Sequence, residues 1–155
     1  MTTEESIRII ATNKKAYHNY EVVETFETGV ALQGSEVKSV RQGKISLKES
    51  YAKIKNGELF LINCHISPYS ASSFFNHTPL RTRKLLMHKK EIIRLQIKTQ
   101  EKGFTIVPTK VYFKRGKVKI EIALARGKRL FDKRAESRRK TVEREIRQAL
   151  KGYRH

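Results

Sequence analysis

One aspartate, Asp132, serves the whole chain, and it sits inside the basic triplet Asp132-Lys133-Arg134. Two-metal nucleases and phosphoryl-transfer enzymes need convergent carboxylates to hold magnesium, so this scarcity argues against both. Isolated acids such as Glu27 and Glu121 read as surface residues or salt-bridge partners rather than general bases. Cys64 is the sole cysteine, which excludes an internal disulfide and points to a reducing compartment. His18, His65, His77, His88 and His155 are scattered too widely to form, with that one thiol, a structural or catalytic zinc site. A glycine-rich phosphate loop and a nucleophile elbow are missing as well. The residues therefore predict neither an enzyme nor a bound metal or cofactor. No apolar run is long enough to span a bilayer, and residues 1–13 lack the apolar stretch of a secretory signal. The expected compartment is the cytoplasm.

What the chain does have is positive charge. Its 155 residues carry 34 lysines and arginines against 15 acids, a formal net charge of +19. Solubility alone asks for a net charge of about 2 to 8 on a small domain, so the surplus predicts a polyanionic partner. The charge divides into two parts. Residues 126–155 hold twelve bases and four acids, net +8, and the first 125 residues retain +11. Between Asp132 and Thr141 no large apolar side chain occurs. Ordering a residue costs about 1 to 2 kcal/mol, and with nothing apolar to bury, this stretch is expected to be mobile until an acidic partner orders it. The predicted organisation is one folded domain over residues 1–131 and a basic tail over 132–155. The length and the 38% hydrophobic content suit one modest core.

Along the chain, residues 1–19 show neither regular period and read as an extended lead-in. From Tyr20 the pattern is strand-like, with Gly29 read as a turn before a short Val30–Leu32 strand. Gly34 and Gly43 bracket a short helix, with Ser35 as its N-cap and Val37 and Val40 on one face. Asn56-Gly57, between SYAKIK and ELFLI, predicts a type I′ hairpin over 50–62. The stretch ASSFFNHTPLRTR at 71–83, with Pro68 and Pro79 near its ends, predicts a long loop whose Phe74 and Phe75 are tucked under it or used in contact. Arg83–Met87 is ambiguous between strand and helix. A helix is expected over 88–102, with Ile92, Ile93 and Gln96 helically spaced and Gly103 after its end. Pro108 places the 104–113 strand at an edge or a bulge. After a turn at Lys114-Arg115-Gly116, Val118, Ile120, Ile122 and Leu124 alternate with Lys117, Lys119 and Glu121, the period of a half-buried strand with one basic face. Several short strands with glycine turns and few helices predict a mainly β protein, a small closed or partly open antiparallel barrel.

Five segments in order, NKKAYHNY at 13–20, GVALQGSEVKSVRQGK at 29–44, LKESYAKIKNGELFL at 47–61, PLRTRKLLMH at 79–88 and IEIALARGKRLFDKR at 120–134, resemble the SmpB family. The likeness covers nearly the whole chain and departs from the family at the extreme N-terminus, the 70–78 loop and the last dozen residues. It implies an oligonucleotide-binding (OB)-fold-like barrel with two or three short helices and a basic C-terminal tail. It also implies binding to the tRNA-like domain of tmRNA (SsrA RNA), delivery of that RNA to the A site of stalled ribosomes, and mimicry of its missing anticodon stem in trans-translation. The positions matching the RNA-binding face are Asn13, Lys14, Lys15, Tyr20, Glu27, Glu36, Lys38, Ser39, Arg41 and Lys84. Lysine and arginine there suit phosphates, Tyr20 suits stacking, and Asn13 and Glu27 suit the hydrogen-bonding edges of unstacked nucleotides. His18 matches a histidine at the ribosomal decoding centre.

The tail residues Asp132, Lys133, Arg134, Arg138, Arg139, Val142, Arg144, Ile146, Arg147, Leu150 and Lys151 would lie in the mRNA channel against 16S rRNA. There Val142, Ile146, Ala149, Leu150 and Tyr153 would form one face of a helix spanning about 30 Å. The implied stoichiometry is one monomer per RNA. Composition alone supports equally a general OB-type RNA-binding or ribosomal protein. A peripheral membrane role would need a tail with a broad apolar face, which the polar run at 132–141 argues against.

Overall fold

The computed structural model describes residues 6–70, 76–101, 103–128 and 130–152, with side chains left undescribed at 130–137 and 152. Phe74, Phe75 and Tyr153 lie outside the described residues. The elements are β1 (Ile7–Thr12), α1 (Lys14–Asn19), β2 (Tyr20–Val30), α2 (Gly34–Arg41), β3 (Ile45–Ser46), β4 (Tyr51–Lys55), β5 (Glu58–Ile62), β6 (His65–Ile66), β7 (Arg83–Leu86), α3 (Lys89–Thr99), β8 (Phe104–Lys114), β9 (Lys117–Gly127) and α4 (Leu130–Gly152). Strand order in the main sheet is β1-β8-β4-β5-β7-β2-β9, and β9 pairs back onto β8. Six strands therefore close into an antiparallel barrel. The eleven-residue β8 gives one whole edge to β9 and divides the other, with Ala52 of β4 opposite Ile106 and β1 running along Lys110–Lys114. Strands β3 and β6 form a separate two-stranded sheet.

Alternation along the long strands divides inside from outside. Ile120, Ile122 and Leu124 of β9 are buried in the barrel core with Leu59, Leu61, Leu85, Ile106 and Val111. On the opposite face Ala123 and Ala125, with Val107, are covered by Ala16 of α1. The small alanines let α1 lie close to the sheet. The register of β8 against β9 shifts between Pro108 and Lys110, so the proline sits at a bulge as its missing N–H requires. Asn56 and Gly57 both have positive φ, at 52° and 75°, as the β4–β5 hairpin turn demands. The ambiguous 83–87 segment is strand β7. Helix α3 ends earlier than expected, and it buries Ile92 and Leu95 while Ile93 faces solvent.

Three expectations need correction. The lead-in is not a plain extended segment: it holds β1 and then α1, whose N-cap Asn13 accepts a hydrogen bond from the Ala16 N–H at 3.1 Å. Gly29 makes no turn, because β2 runs through it to Val30. Its lack of a side chain serves a close approach instead: a Cβ there would stand 3.3 Å from Cβ of Leu86 on β7. Ser35 is not the cap of α2, which starts from Gln33, and its hydroxyl bonds Nδ1 of buried His77 at 2.9 Å. Nε2 of that ring bonds the Ile66 carbonyl at 2.9 Å, which fastens His77 between α2 and β6.

Beneath α2 lies a buried ionic cluster. The side chains of Glu36 and Arg83 have no exposed surface. Oε2 of Glu36 accepts from Nε of Arg83, and Oε1 accepts from Arg81 and from the Gln33 N–H at 2.8 Å. Arg83 also donates to the carbonyls of Cys64 at 2.6 Å and Pro79 at 3.1 Å. Burial raises the Glu36 pKa more than any single partner lowers it. Together Arg81, the Gln33 N–H and Arg83 outweigh burial and hold the carboxyl below its ordinary range. The neighbouring Cys64 thiol is pushed up to about 12 by burial, so it is inert as a nucleophile.

Candidate nucleic-acid interface

The candidate residues fall into an exposed set and a buried set. Lys14, Lys15 and His18 project from α1, Lys38 and Arg41 from α2, and Lys84 from β7, all exposed. Asn13, Glu36 and Ser39 are buried and point inward. The Asn13 amide donates to the carbonyl of Pro108 at 2.9 Å and to that of Leu47 at 3.4 Å, tying α1 to the β8 bulge. The Ser39 hydroxyl donates to the Ser67 carbonyl at 2.7 Å. The side chains of these three are bonded inside the fold rather than presented at its surface. Their polar groups are spent holding α1 and α2 in place, which hydropathy does not reveal, because polar residues are assigned outward by default.

The exposed cations are held in position without being neutralised completely. Lys38 lies over the Tyr69 ring at 5.4 Å and Arg41 over the Phe113 ring at 6.0 Å. Such contacts contribute about 0.5 to 1 kcal/mol at exposed sites, enough to bias a long side chain and too little to keep it from a phosphate. A guanidinium nitrogen of Arg8 on β1 reaches the Arg41 carbonyl at 3.5 Å, which adds a further cation to this end of α2. Lys15 pairs with Glu49, and Lys84 with Glu58 at 3.1 Å, both as exposed pairs. Pairs of that kind are worth about 0 to 1 kcal/mol, so RNA can displace them. Tyr20 is half-buried against Ala16, Val107, Ala123 and Ala125, which leaves only part of its ring for stacking. It shares a groove beside α1 with Asn19, Tyr51 and Lys15.

Glu27 has the most specific surroundings. The Tyr112 hydroxyl donates to Oε2, and Nζ of Lys114 lies 3.3 Å from each carboxylate oxygen. The Tyr112 bond is the main reason that the Glu27 pKa is lowered; burial opposes it, and Lys114 and Lys119 add to the lowering. Burial, and then the carboxylate itself, raise the Tyr112 pKa, so the phenol keeps its proton and remains the donor. Tyr112, Tyr69, Phe113 and Arg8 were not among the sequence candidates. They partner the candidates through strand pairing and a loop, which no spacing along the chain encodes.

Tyr20 and Glu27 lie seven residues apart on β2, about 23 Å at the rise of a strand. The candidates thus line an extended surface rather than a cleft around one small molecule. Among the described residues, no group of three or more His, Cys, Asp or Glu could hold a metal ion. No described helix is long and apolar enough to cross a membrane. Helix α4 carries the tail residues Asp132, Lys133 and Arg134 in its first turns, and from Arg138 to Lys151 every side chain is exposed. Val142, Ile146 and Leu150, at i, i+4 and i+8, form an exposed apolar stripe, with Arg144, Arg147 and Lys151 turned to other faces of the helix. Residues 132–152 of the basic tail lie within the 23-residue helix α4.

Comparison with known proteins gives one consistent family. The family model described as SmpB protein matches residues 10–152. An SsrA-binding protein of Carboxydothermus hydrogenoformans is 56% identical over 144 residues, covering 93% of this chain and 97% of its own. Another, of Caldicellulosiruptor saccharolyticus, is 53% identical over 150 residues, covering 97% of this chain and 95% of its own. A solved chain described by the words "tmRNA-SmpB: a journey to the center of the bacterial ribosome" is 48% identical, with a TM-score of 0.67 over 79% of this chain and 86% of that one.

Proposed function

This chain belongs to the SmpB family, and on that premise we propose that it binds the tRNA-like domain of tmRNA, carries it to the A site of stalled ribosomes and stands in for the missing anticodon stem, enabling trans-translation. The full-length likeness to chains named for SsrA binding carries this reading. Its physical support is a barrel with cations on α1, α2 and β7 and few acids among them.

Within that function the residues divide into roles. Lys14, Lys15, Lys38, Arg41 and Lys84 neutralise phosphates, Tyr20 stacks, and Glu27 accepts a hydrogen bond from the RNA. Asn13, Glu36 and Ser39 act indirectly, by fixing the helices that carry the surface residues. His18, in the last turn of α1, meets the decoding centre. Residues 132–155 enter the mRNA channel as a helix, with Arg138, Arg139, Arg144, Arg147 and Lys151 facing 16S rRNA phosphates and Val142, Ile146 and Leu150 gaining cover there; residues 132–152 lie in α4. The protein works in the cytoplasm as a monomer, one per RNA, without a cofactor, a membrane or a reaction of its own.

The experiment is the salt dependence of binding to the tRNA-like domain. Replacing Lys38, Arg41 or Lys84 by Ala should each lower the magnitude of the log–log slope by roughly 0.7 to 0.9, one phosphate contact apiece. Unchanged slopes in all three variants would remove α2 and β7 from the interface.

A further inference from the structure

Glu27 is the odd residue on a positive surface. A carboxylate facing a polyanion lowers affinity unless it receives hydrogen bonds from the RNA, and it can do that only if it is charged and correctly aimed. The fold provides for both. Glu27 on β2 stands opposite Glu121 of β9, and Tyr112 of β8 reaches past β9 to place its hydroxyl on Oε2. Tyr112 is 8% exposed, so its ring cannot swing away, and the Glu27 side chain remains 39% exposed. Glu121 is drawn off elsewhere, because its Oε2 accepts from Thr109 Oγ1 at 2.6 Å. A carboxylate offers about four acceptor directions. Tyr112 and Lys114 occupy both directions of Oε2 and one of Oε1, so the open direction belongs to Oε1.

We propose that Tyr112 is a positioning residue for RNA recognition, whose phenol fixes the Glu27 carboxylate so that Oε1 accepts a single hydrogen bond from an O–H or N–H donor of the tRNA-like domain. A lone lysine partner would attract the carboxylate without directing it, since an ammonium on a flexible stem is close to a point charge. The phenol, on a ring locked in the sheet, sets the direction. One donor rather than two is accepted, and that donor is a ribose 2′-hydroxyl or one base N–H in an unpaired loop.

The inference rests on the function proposed above, and its test keeps the two separable. Affinity for the tRNA-like domain is measured for the full chain, Tyr112→Phe, Glu27→Ala and the double variant at one salt concentration. Tyr112→Phe keeps the ring and its packing, so thermal unfolding should barely move. Affinity should fall about tenfold for Glu27→Ala and about three- to tenfold for Tyr112→Phe, with the salt slope unchanged in both. The double variant should be no weaker than Glu27→Ala alone, because the phenol acts only through the carboxylate. Losses that multiply in the double variant would overturn the inference, as would a Tyr112→Phe protein of full affinity; failure of the unaltered chain to bind would instead overturn the functional reading. Two further kinds of RNA identify the donor: 2′-deoxynucleotides in the unpaired loops, and single abasic nucleotides placed in turn through those loops, which together remove every ribose 2′-hydroxyl and every base N–H there. The RNA lacking the true donor should bind as weakly to the unaltered chain as the full RNA does to Glu27→Ala. If both kinds of modified RNA retain full affinity, no donor is being read and the proposal fails.

Discussion

A chain ending at Arg134 is expected to fold and to bind the tRNA-like domain nearly as well as the full chain, yet to lose tagging of nascent peptides on ribosomes stalled at the end of a truncated message. The reason is the separation between α4 and the barrel core. From Arg138 to Lys151 every side chain is exposed, and the apolar members Val142, Ile146 and Leu150 are 52%, 54% and 60% exposed. Removing them sacrifices little buried area, and so little stability. What goes is residues 135–152 of α4, 18 of its 23 residues and about 27 Å of helix, with charge for rRNA phosphates and an exposed apolar stripe. Ile146→Pro is the finer version. It leaves every charge in place but costs about 3 kcal/mol in helix formation, so tagging should fall while RNA affinity holds. Full tagging by the truncated chain would remove the tail from the function; loss of RNA binding along with tagging would show that the boundary at 131–132 cuts through the RNA-binding unit.

Glu36→Ala should destabilise the barrel by about 3 to 5 kcal/mol, the cost of leaving a buried charge without its partner. Arg83 would then keep its carbonyl acceptors at Cys64 and Pro79 but lose its counter-ion. Single domains are stable by only about 5 to 15 kcal/mol, so the loss would show as a large fall in the denaturant midpoint. Arg83→Lys should recover little, because one ammonium cannot serve the carboxylate and two carbonyls in the planar arrangement of a guanidinium. Acidity provides a second measurement. The folded chain holds the Glu36 pKa below its ordinary value of 4.5, so the unfolded state takes up the proton first as pH falls. Its stabilisation is complete above about pH 4.5 and is lost as pH drops through the lower folded value. Glu36→Gln should therefore lower stability most near neutrality and flatten its decline in acid. A variant as stable as the original chain at pH 7 would show that the cluster holds nothing together.

How far the residues alone reached depends on where their signals lie. The Asn56-Gly57 hairpin and the alternation of Val118 to Leu124 were legible because each is encoded within a few neighbouring residues. The barrel followed from strands too short and too many for a doubly wound sheet. Helix α1 was missed because its six residues show no period, and its stability comes from the Asn13 cap and the alanine contacts beneath it. Gly29 misled because glycine most often marks a turn, whereas here it makes room for Leu86. Glu36 and Ser39 were assigned to the RNA along with Lys38 and Arg41, their neighbours on one short helix. Only the position of Arg83 on β7, and of Arg81 just before that strand, decides that Glu36 faces inward. The same limit hid Tyr112, 85 residues from the carboxylate it touches.

The central claim is recognition of one RNA rather than of RNA in general, and the most direct measurement compares the full chain's affinity for the tRNA-like domain of tmRNA with that for an elongator tRNA at one fixed salt concentration. Phosphate contacts alone would bind both alike, since a net charge of +19 attracts any polyanion. The account predicts clear preference for the tRNA-like domain, and a preference that shrinks in Glu27→Ala; equal affinities for the two RNAs would contradict it and leave a general OB-type RNA-binding protein.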